Sequence, residues 1–172
     1  MNRPAEEELE QLVIQAQAGN QQSFEQLFYK THNLARKVAY SIVGSTLAED
    51  AVQESYLLVF QKLRQLKDPA AFRGWLSRLV LHTCYRIAKK RPNELELPSE
   101  EVEAPDQSQS VIDSLFLKQG LSRLQPKDRD ILILRELLGL SYEEVAFALS
   151  LPLGTVRSRL HSARKHLAER LT

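Results

Sequence analysis

Apolar positions recur at helical spacing along almost the whole chain, and no stretch shows the period-two alternation of a half-buried strand. Leu9, Leu12, Val13 and Ala16 form one stripe, which Gly19-Asn20 should stop. A second helix is expected from about Gln22 to Val43, turning Phe24, Leu27, Phe28, Leu34, Ala35, Val38 and Ile42 inward, with Gly44 closing it. Thr46 can cap a third, from Leu47 to about Leu66. Asp68-Pro69 announces a fourth, carrying Phe72, Trp75, Leu76, Leu79, Val80 and Ile87 as far as Lys89-Lys90-Arg91-Pro92. The periodicity then fails. Between Pro92 and Ser110 the only larger aliphatics are Leu95, Leu97 and Val102, too few to offset the entropy of ordering the chain. Helical spacing resumes from Val111 to Leu124 and again from Pro126 to Leu138, before Gly139. The expected fold is all-α: two small helical domains, residues 1–91 and 111–172, joined by a flexible acidic linker over 92–110.

The last part of the chain carries the most specific pattern. In Ser141-Tyr142-Glu143-Glu144 the side chains of the first and fourth residues can each satisfy a backbone donor of the other, which starts a short helix at Tyr142 that buries Val145, Ala146 and Leu149. Pro152 cannot continue that helix, yet its fixed φ suits the first turn of another. Along this next helix Val156, Leu160, Ala163 and Leu167 fall on one face. Thr155, Ser158, Arg159 and Ser162 fall on an adjoining one, flanked by Arg157, Arg164 and Lys165, with no acid between Pro152 and Ala168. The pattern is that of a helix-turn-helix whose second helix enters a DNA major groove. Arginine can grip guanine edges with two hydrogen bonds, and short hydroxyls reach bases or phosphates. A basic helix with solvated arginines is the plainer alternative, and the capped helix and proline turn before it weigh against that.

Charge adds an organisation that the formal net value of +1 hides. Residues 1–91 hold 13 Lys/Arg against 9 Asp/Glu, residues 92–113 none against 7, and residues 114–172 hold 10 against 6. Two mildly basic lobes thus flank an acidic strip, which can run along basic surfaces that otherwise hold nucleic acid. Cys84 is the only cysteine, so no intrachain disulfide is possible. No apolar run approaches the roughly 20 residues that span a bilayer, and Glu6, Glu7, Glu8 and Glu10 are unlike a signal peptide, so a cytoplasmic protein without membrane insertion is expected.

Two features mark the N-terminal lobe. Asp50, Gln53, Glu54 and Leu57 stand at i, i+3, i+4 and i+7 of the third helix, a polar stripe with one exposed aliphatic, which simple solvation could also explain. From Lys67 to Trp75, and on later turns at Arg78, His82, Tyr85 and Arg86, aromatics and cations are interleaved. Such a surface suits unstacked bases, which stack on rings while the backbone is neutralised; core anchoring by Phe72 and Trp75 is the alternative. His82 and Cys84, with no other ligand nearby, fall short of a tetrahedral set, so neither metal nor cofactor is expected.

Several segments together resemble the extracytoplasmic-function sigma factors, the small two-domain branch of bacterial sigma factors. They are Glu49-Asp50-Ala51-Val52-Gln53-Glu54, Phe72-Arg73-Gly74-Trp75-Leu76, Gly139-Leu140-Ser141-Tyr142-Glu143-Glu144-Val145-Ala146 and Gly154-Thr155-Val156-Arg157-Ser158-Arg159-Leu160. Order and spacing match over nearly the whole chain, although the helix-turn-helix alone also resembles LuxR-type regulators. The resemblance implies that core RNA polymerase is the partner, met through its β′ clamp helices and β flap. Asp50, Gln53, Glu54 and Leu57 would dock on the clamp helices. Lys67, Phe72, Arg73, Arg78 and His82 would take the non-template single strand of the minus-ten element. Thr155, Arg157, Ser158, Arg159, Ser162 and Lys165 would read the minus-thirty-five element of promoter DNA as duplex. Where a cell carries one, an anti-sigma factor is a further partner. His82 stands where the family often has asparagine, Cys84 where it has a small residue and Ser150 where it usually has glycine.

Such a factor has no catalytic chemistry, and no catalytic residues are expected: the chain has no glycine-rich phosphate loop, and His32, His82, His161 and His166 are scattered. The rival from another class is a two-domain regulator whose N-terminal bundle senses a ligand or dimerises. It would require an apolar pocket or self-complementary face and a palindromic operator.

Overall fold

The structure is a computed structural model that describes residues 3–95 and 119–171. Helix α1 spans Arg3–Gln17, α2 Gln21–Lys62, α3 Phe72–Lys90, α4 Pro126–Leu132, α5 Tyr142–Leu149 and α6 Leu153–Leu171. Among the described residues there is no strand. Of the expected linker only 92–95 is described, and Pro92–Glu94 there forms a single 3₁₀ turn. Of the helix expected over Val111–Leu124, 111–118 lies outside the described residues and 119–122 is helical.

The Gly19-Asn20 pair does two jobs. Gly19 adopts φ 94, and Asn20 N–H reaches back to the Gln15 carbonyl at 3.0 Å, which closes α1. The Asn20 side chain then accepts from Ser23 N–H at 2.9 Å and caps α2.

Helix α2 is two antiparallel arms. Gly44, at φ 79 and ψ −179, occupies a region open essentially to glycine alone. A straight helix would separate residues 25 apart by about 37 Å. Instead Thr31 Oγ1 lies 2.8 Å from the Tyr56 hydroxyl, Phe28 and Tyr56 rings are 4.6 Å apart, and Phe24 and Phe60 rings are 5.4 Å apart. Residues 21–43 therefore run back against 45–62, and the two helices expected around Gly44 are both present. The second arm ends at Lys62 and tightens into a 3₁₀ turn over Leu63–Gln65. Gln17 of α1 donates to the carbonyls of Leu63 and Leu66 at 2.9 and 2.8 Å, satisfying acceptors that the helix end leaves open.

Asp68 caps a 3₁₀ turn over Pro69–Ala71 that leads directly into α3. The core of the N-terminal lobe lies between the arms of α2, α1 and α3: Val13, Leu27, Val38, Val43, Leu47, Leu76 and Val80 are fully buried. Each contributes roughly 1.5–3 kcal/mol relative to exposure.

In the C-terminal lobe α4 passes into a π-helical turn, Ile133–Leu137. Leu138 N–H bonds to the Ile133 carbonyl at 3.1 Å, and Gly139, at φ 65, ends the element as its position suggests. Arg135 donates to the Leu140 carbonyl at 2.6 Å and lies 4.9 Å from the centre of the Tyr142 ring, which fixes where α5 begins.

Candidate nucleic-acid interface and docking face

The helix-turn-helix forms as the sequence implies. Glu144 N–H donates to Ser141 Oγ at 3.0 Å, and Ser141 N–H to the Glu144 carboxylate at 2.8 Å. Ser150 then takes a left-handed conformation (φ 54, ψ 46), and Leu151 N–H reaches the Ala146 carbonyl at 2.9 Å. A side chain in that region costs about 1–2 kcal/mol, which explains why glycine is the easier residue there. Val145 and Ala148 are buried, Ala146 and Leu149 half-buried.

Helix α6 buries Val156, Leu160 and Ala163. Arg157, Ser158, Ser162 and Lys165 are exposed, while Thr155 and Arg159 are half-buried on the flank. The outer half of the helix is anchored. Arg164 donates twice to Glu136 Oε1, at 2.9 and 2.6 Å, and His166 Nδ1 lies 2.7 Å from Asp128 Oδ2. Arg164 is therefore held by the protein, whereas among the described residues no ion pair holds Arg157 or Arg159 nearer the start of the helix. The result is a fixed helix with a cationic, hydroxyl-bearing face, the chemistry that phosphates and guanine edges require.

The five minus-ten candidates separate. Lys67 and His82 are exposed, and Arg78 is half-buried with His82 one turn further along the same face. Partial burial and the nearby Arg78 cation hold the His82 imidazole below its usual range. Arg73 points at the C-terminal lobe. Phe72 overturns its expected role as a stacking platform: it is 1% exposed and among the largest buried side chains, because the helix starts at this residue and turns it into the core. Core anchoring, the alternative reading, is what the structure supports for Phe72; Trp75 is half-buried, its ring 5.9 Å from that of Phe72.

Asp50, Gln53, Glu54 and Leu57 share the outer face of the second arm of α2, with Leu57 63% exposed. Both acids already have partners on or just beyond α3: Arg91 donates to Asp50 at 2.8 Å, and Arg86 lies 2.7 Å from Glu54. Sequence reasoning missed Phe60, 72% exposed and one turn beyond Leu57. Helical spacing from Gln53 and Leu57 was the signal for it. The same arginine, Arg91, pairs with Glu94 in the following turn and so ties the start of the linker to this stripe of α2.

Cys84 is fully buried and does not meet His82 in any cluster of ligating side chains among the described residues. No helix among them is long and apolar enough to cross a membrane.

The two lobes are a helical hairpin with a third helix laid on it, and a helix-turn-helix with an anchored basic face. Comparison with known proteins matches both. The Sigma-70 region 2 family covers residues 27–92 and the Sigma-70 region 4 family residues 117–167. The ECF RNA polymerase sigma-E factor of Escherichia coli K12 is 31% identical over 170 residues, covering 90% of this chain and 89% of that one. The RNA polymerase sigma-H factor of Pseudomonas aeruginosa is 28% identical, covering 96% and 95%. Among solved structures, the sigma factor RpoE of Bartonella quintana, in complex with the anti-sigma factor NepR, superposes with TM-score 0.70 at 26% identity, covering 86% of this chain and 96% of that chain. The chain belongs to the ECF sigma factors, which act with RNA polymerase in transcription initiation.

Proposed function

We infer that this sigma factor brings core RNA polymerase to promoters by reading two elements and that it opens the DNA between them. Residues 1–91 would dock on the β′ clamp helices through Asp50, Gln53, Glu54 and Leu57, extended by the exposed Phe60. Residues 111–172 would meet the β flap and read the upstream, minus-thirty-five element as duplex. The observation that carries this reading is the acid-free face of α6, with Arg157, Ser158, Ser162 and Lys165 exposed on a helix held from behind by Glu136 and Asp128.

Melting needs no catalysis. Unpairing costs a few kcal/mol per base, and a surface that binds the unstacked strand more tightly than the duplex offsets it. With Phe72 in the core, Lys67 in the bend before α3 and Arg73, Arg78 and His82 on α3 itself are the groups left for the minus-ten strand. Two weak contacts on one assembly reinforce each other through effective concentration, so spacer length should matter as much as either element. An anti-sigma partner fits the relatives found in such complexes.

The test is promoter opening by core polymerase with a library of upstream sequences, using Arg159→Ala and Arg157→Ala. The two arginines differ by about 200° around the helix, so their roles should separate. Arg159→Ala is expected to relax preference at one or two positions, at about 1–3 kcal/mol against the best sequence. Arg157→Ala should weaken all sequences alike and lower the salt slope by about one. An unchanged preferred sequence in Arg159→Ala, with an altered one in Arg157→Ala, would reverse the face assignment; failure of the wild type to open any promoter would sink the function.

A further inference from the structure

Helix α1 packs on both 3₁₀ turns that lead from α2 into α3, Leu63–Gln65 and Pro69–Ala71, and its end is fastened on two sides. The Ser23 hydroxyl donates to Gln15 Oε1 at 2.7 Å, and one turn earlier Leu12 and Val13 are buried in the core of the lobe. Gln17 faces the other way. Its amide nitrogen donates to the Leu63 carbonyl at 2.9 Å and to the Leu66 carbonyl at 2.8 Å, one hydrogen for each. Both partners accept only, so the nitrogen rather than the oxygen of the amide must face them. The Leu66 carbonyl belongs to the peptide plane that carries the Lys67 nitrogen, and holding the one orients the other. On the far side of Lys67, the Asp68 carboxylate accepts from Ala70 N–H at 3.0 Å and the Asp68 carbonyl from Ala71 N–H at 3.0 Å. Lys67 therefore stands between two fixed points with its side chain exposed.

We propose that Gln17 is a positioning residue for strand capture: by holding the Leu66 carbonyl it aims Lys67 at the phosphate backbone of the minus-ten strand. The inference rests on the reading of Lys67 as a strand-binding cation. A lysine is a point charge on a flexible stem, so the direction in which its backbone is held decides much of what its ammonium reaches. A bend without an anchor samples many directions, and a bound strand must then select one of them at the expense of affinity. The bridge from α1 removes that loss in advance. A glutamine suits the task because its amide offers two donors and no charge, whereas a carboxylate at the same place could not donate and would repel a phosphate. Satisfying two carbonyls is the plainer role, but water fills exposed acceptors at helix ends equally well. That role alone does not call for a side chain that reaches across 46 and 49 residues of sequence.

The test uses the full-length chain in complex with core polymerase and a dye-labelled single strand taken from the non-template side of a promoter that the wild type opens. Binding is titrated over a range of salt concentrations for the wild type, Gln17→Met, Gln17→Asn, Lys67→Ala and the double variant Gln17→Met with Lys67→Ala. Methionine keeps the length and helix preference of glutamine but donates nothing; asparagine keeps the amide one methylene short. Gln17→Met is expected to weaken strand binding about fivefold and to make the salt dependence shallower by about 0.7, the slope of one lost phosphate contact on a single strand. Gln17→Asn should fall between, and it carries the test if Gln17→Met does not fold. Lys67→Ala should show the same two changes, and the double variant should lose no more than Lys67→Ala alone. A purely structural role predicts a loss that adds to that of Lys67→Ala at an unchanged salt slope, and that result overturns the proposal. Wild-type binding by Gln17→Met beside an impaired Lys67→Ala overturns it too. Wild-type binding by Lys67→Ala removes the strand-binding reading of Lys67 itself, and the positioning role with it.

Discussion

Phe72→Ala is expected to destabilise the N-terminal lobe by about 3–5 kcal/mol, the usual cost of emptying a fully packed aromatic site. The residue is 1% exposed and stands at the first position of α3, where the chain leaves the 3₁₀ turn of Pro69–Ala71. Its ring therefore sets how α3 enters the core. The effect should appear as a lowered denaturation midpoint of the free protein, and every DNA template should suffer equally when the variant is assayed near its transition. Phe72→Leu should recover most of the stability and most of the activity. A base-stacking platform behaves otherwise: alanine would leave stability intact, and a template with a premelted bubble would be largely rescued. A stable, folded Phe72→Ala protein with a selective defect on duplex promoters would contradict the burial described above.

Asp50→Lys combined with Glu54→Lys carries the other large effect, loss of core polymerase binding by about 100-fold or more through like charges opposed at an interface. The pairing with Arg91 and Arg86 refines this expectation. Reversal places each new lysine beside an arginine of the same lobe, so a modest loss of stability accompanies the docking defect. Asp50→Asn with Glu54→Gln separates the two, since it removes the carboxylate charge without creating repulsion. Measured by co-purification and by circular dichroism, the reversed pair should lose binding at unchanged helix content and the neutral pair should retain part of it. Unaltered binding by the reversed pair would remove these residues from the docking face.

Most of the fold could be read from local signals because most of its boundaries are locally determined. The Ser141 capping box, the Gly19-Asn20 stop, Gly44 and Gly139 each act within a few residues, and each ends or starts an element where the sequence indicates. The π-helical turn over Ile133–Leu137 was not legible, since its apolar spacing is compatible with an ordinary helix end. The site divided along the same line. The basic face of α6 and the stripe on α2 follow from helical period alone. Phe72 does not: an aromatic beside an arginine at a helix start satisfies both a stacking and a core reading, and the choice depends on what the other helices bring to it. The partners of Arg73 and Tyr85 lie 71 and 45 residues away, beyond any periodicity.

The bend at Gly44 bears on how the molecule comes to be folded. Its arms meet through pairs as near in sequence as Arg36 and Glu49, 3.4 Å apart, so the hairpin closes short loops at little entropic cost. Contacts of this kind form early, whereas the packing of α3 on α5 must join segments separated by the acidic linker and should form late. Alanine at Gly44 is accordingly expected to slow refolding of the whole chain in stopped-flow experiments as well as destabilise it, and an unaltered refolding rate would remove the hairpin from the nucleus. During synthesis the order matters further, since the N-terminal lobe leaves the ribosome before Asp130 and Glu144 exist to cover it. A nascent chain thus exposes for a short time the face of α3 on which α5 later packs.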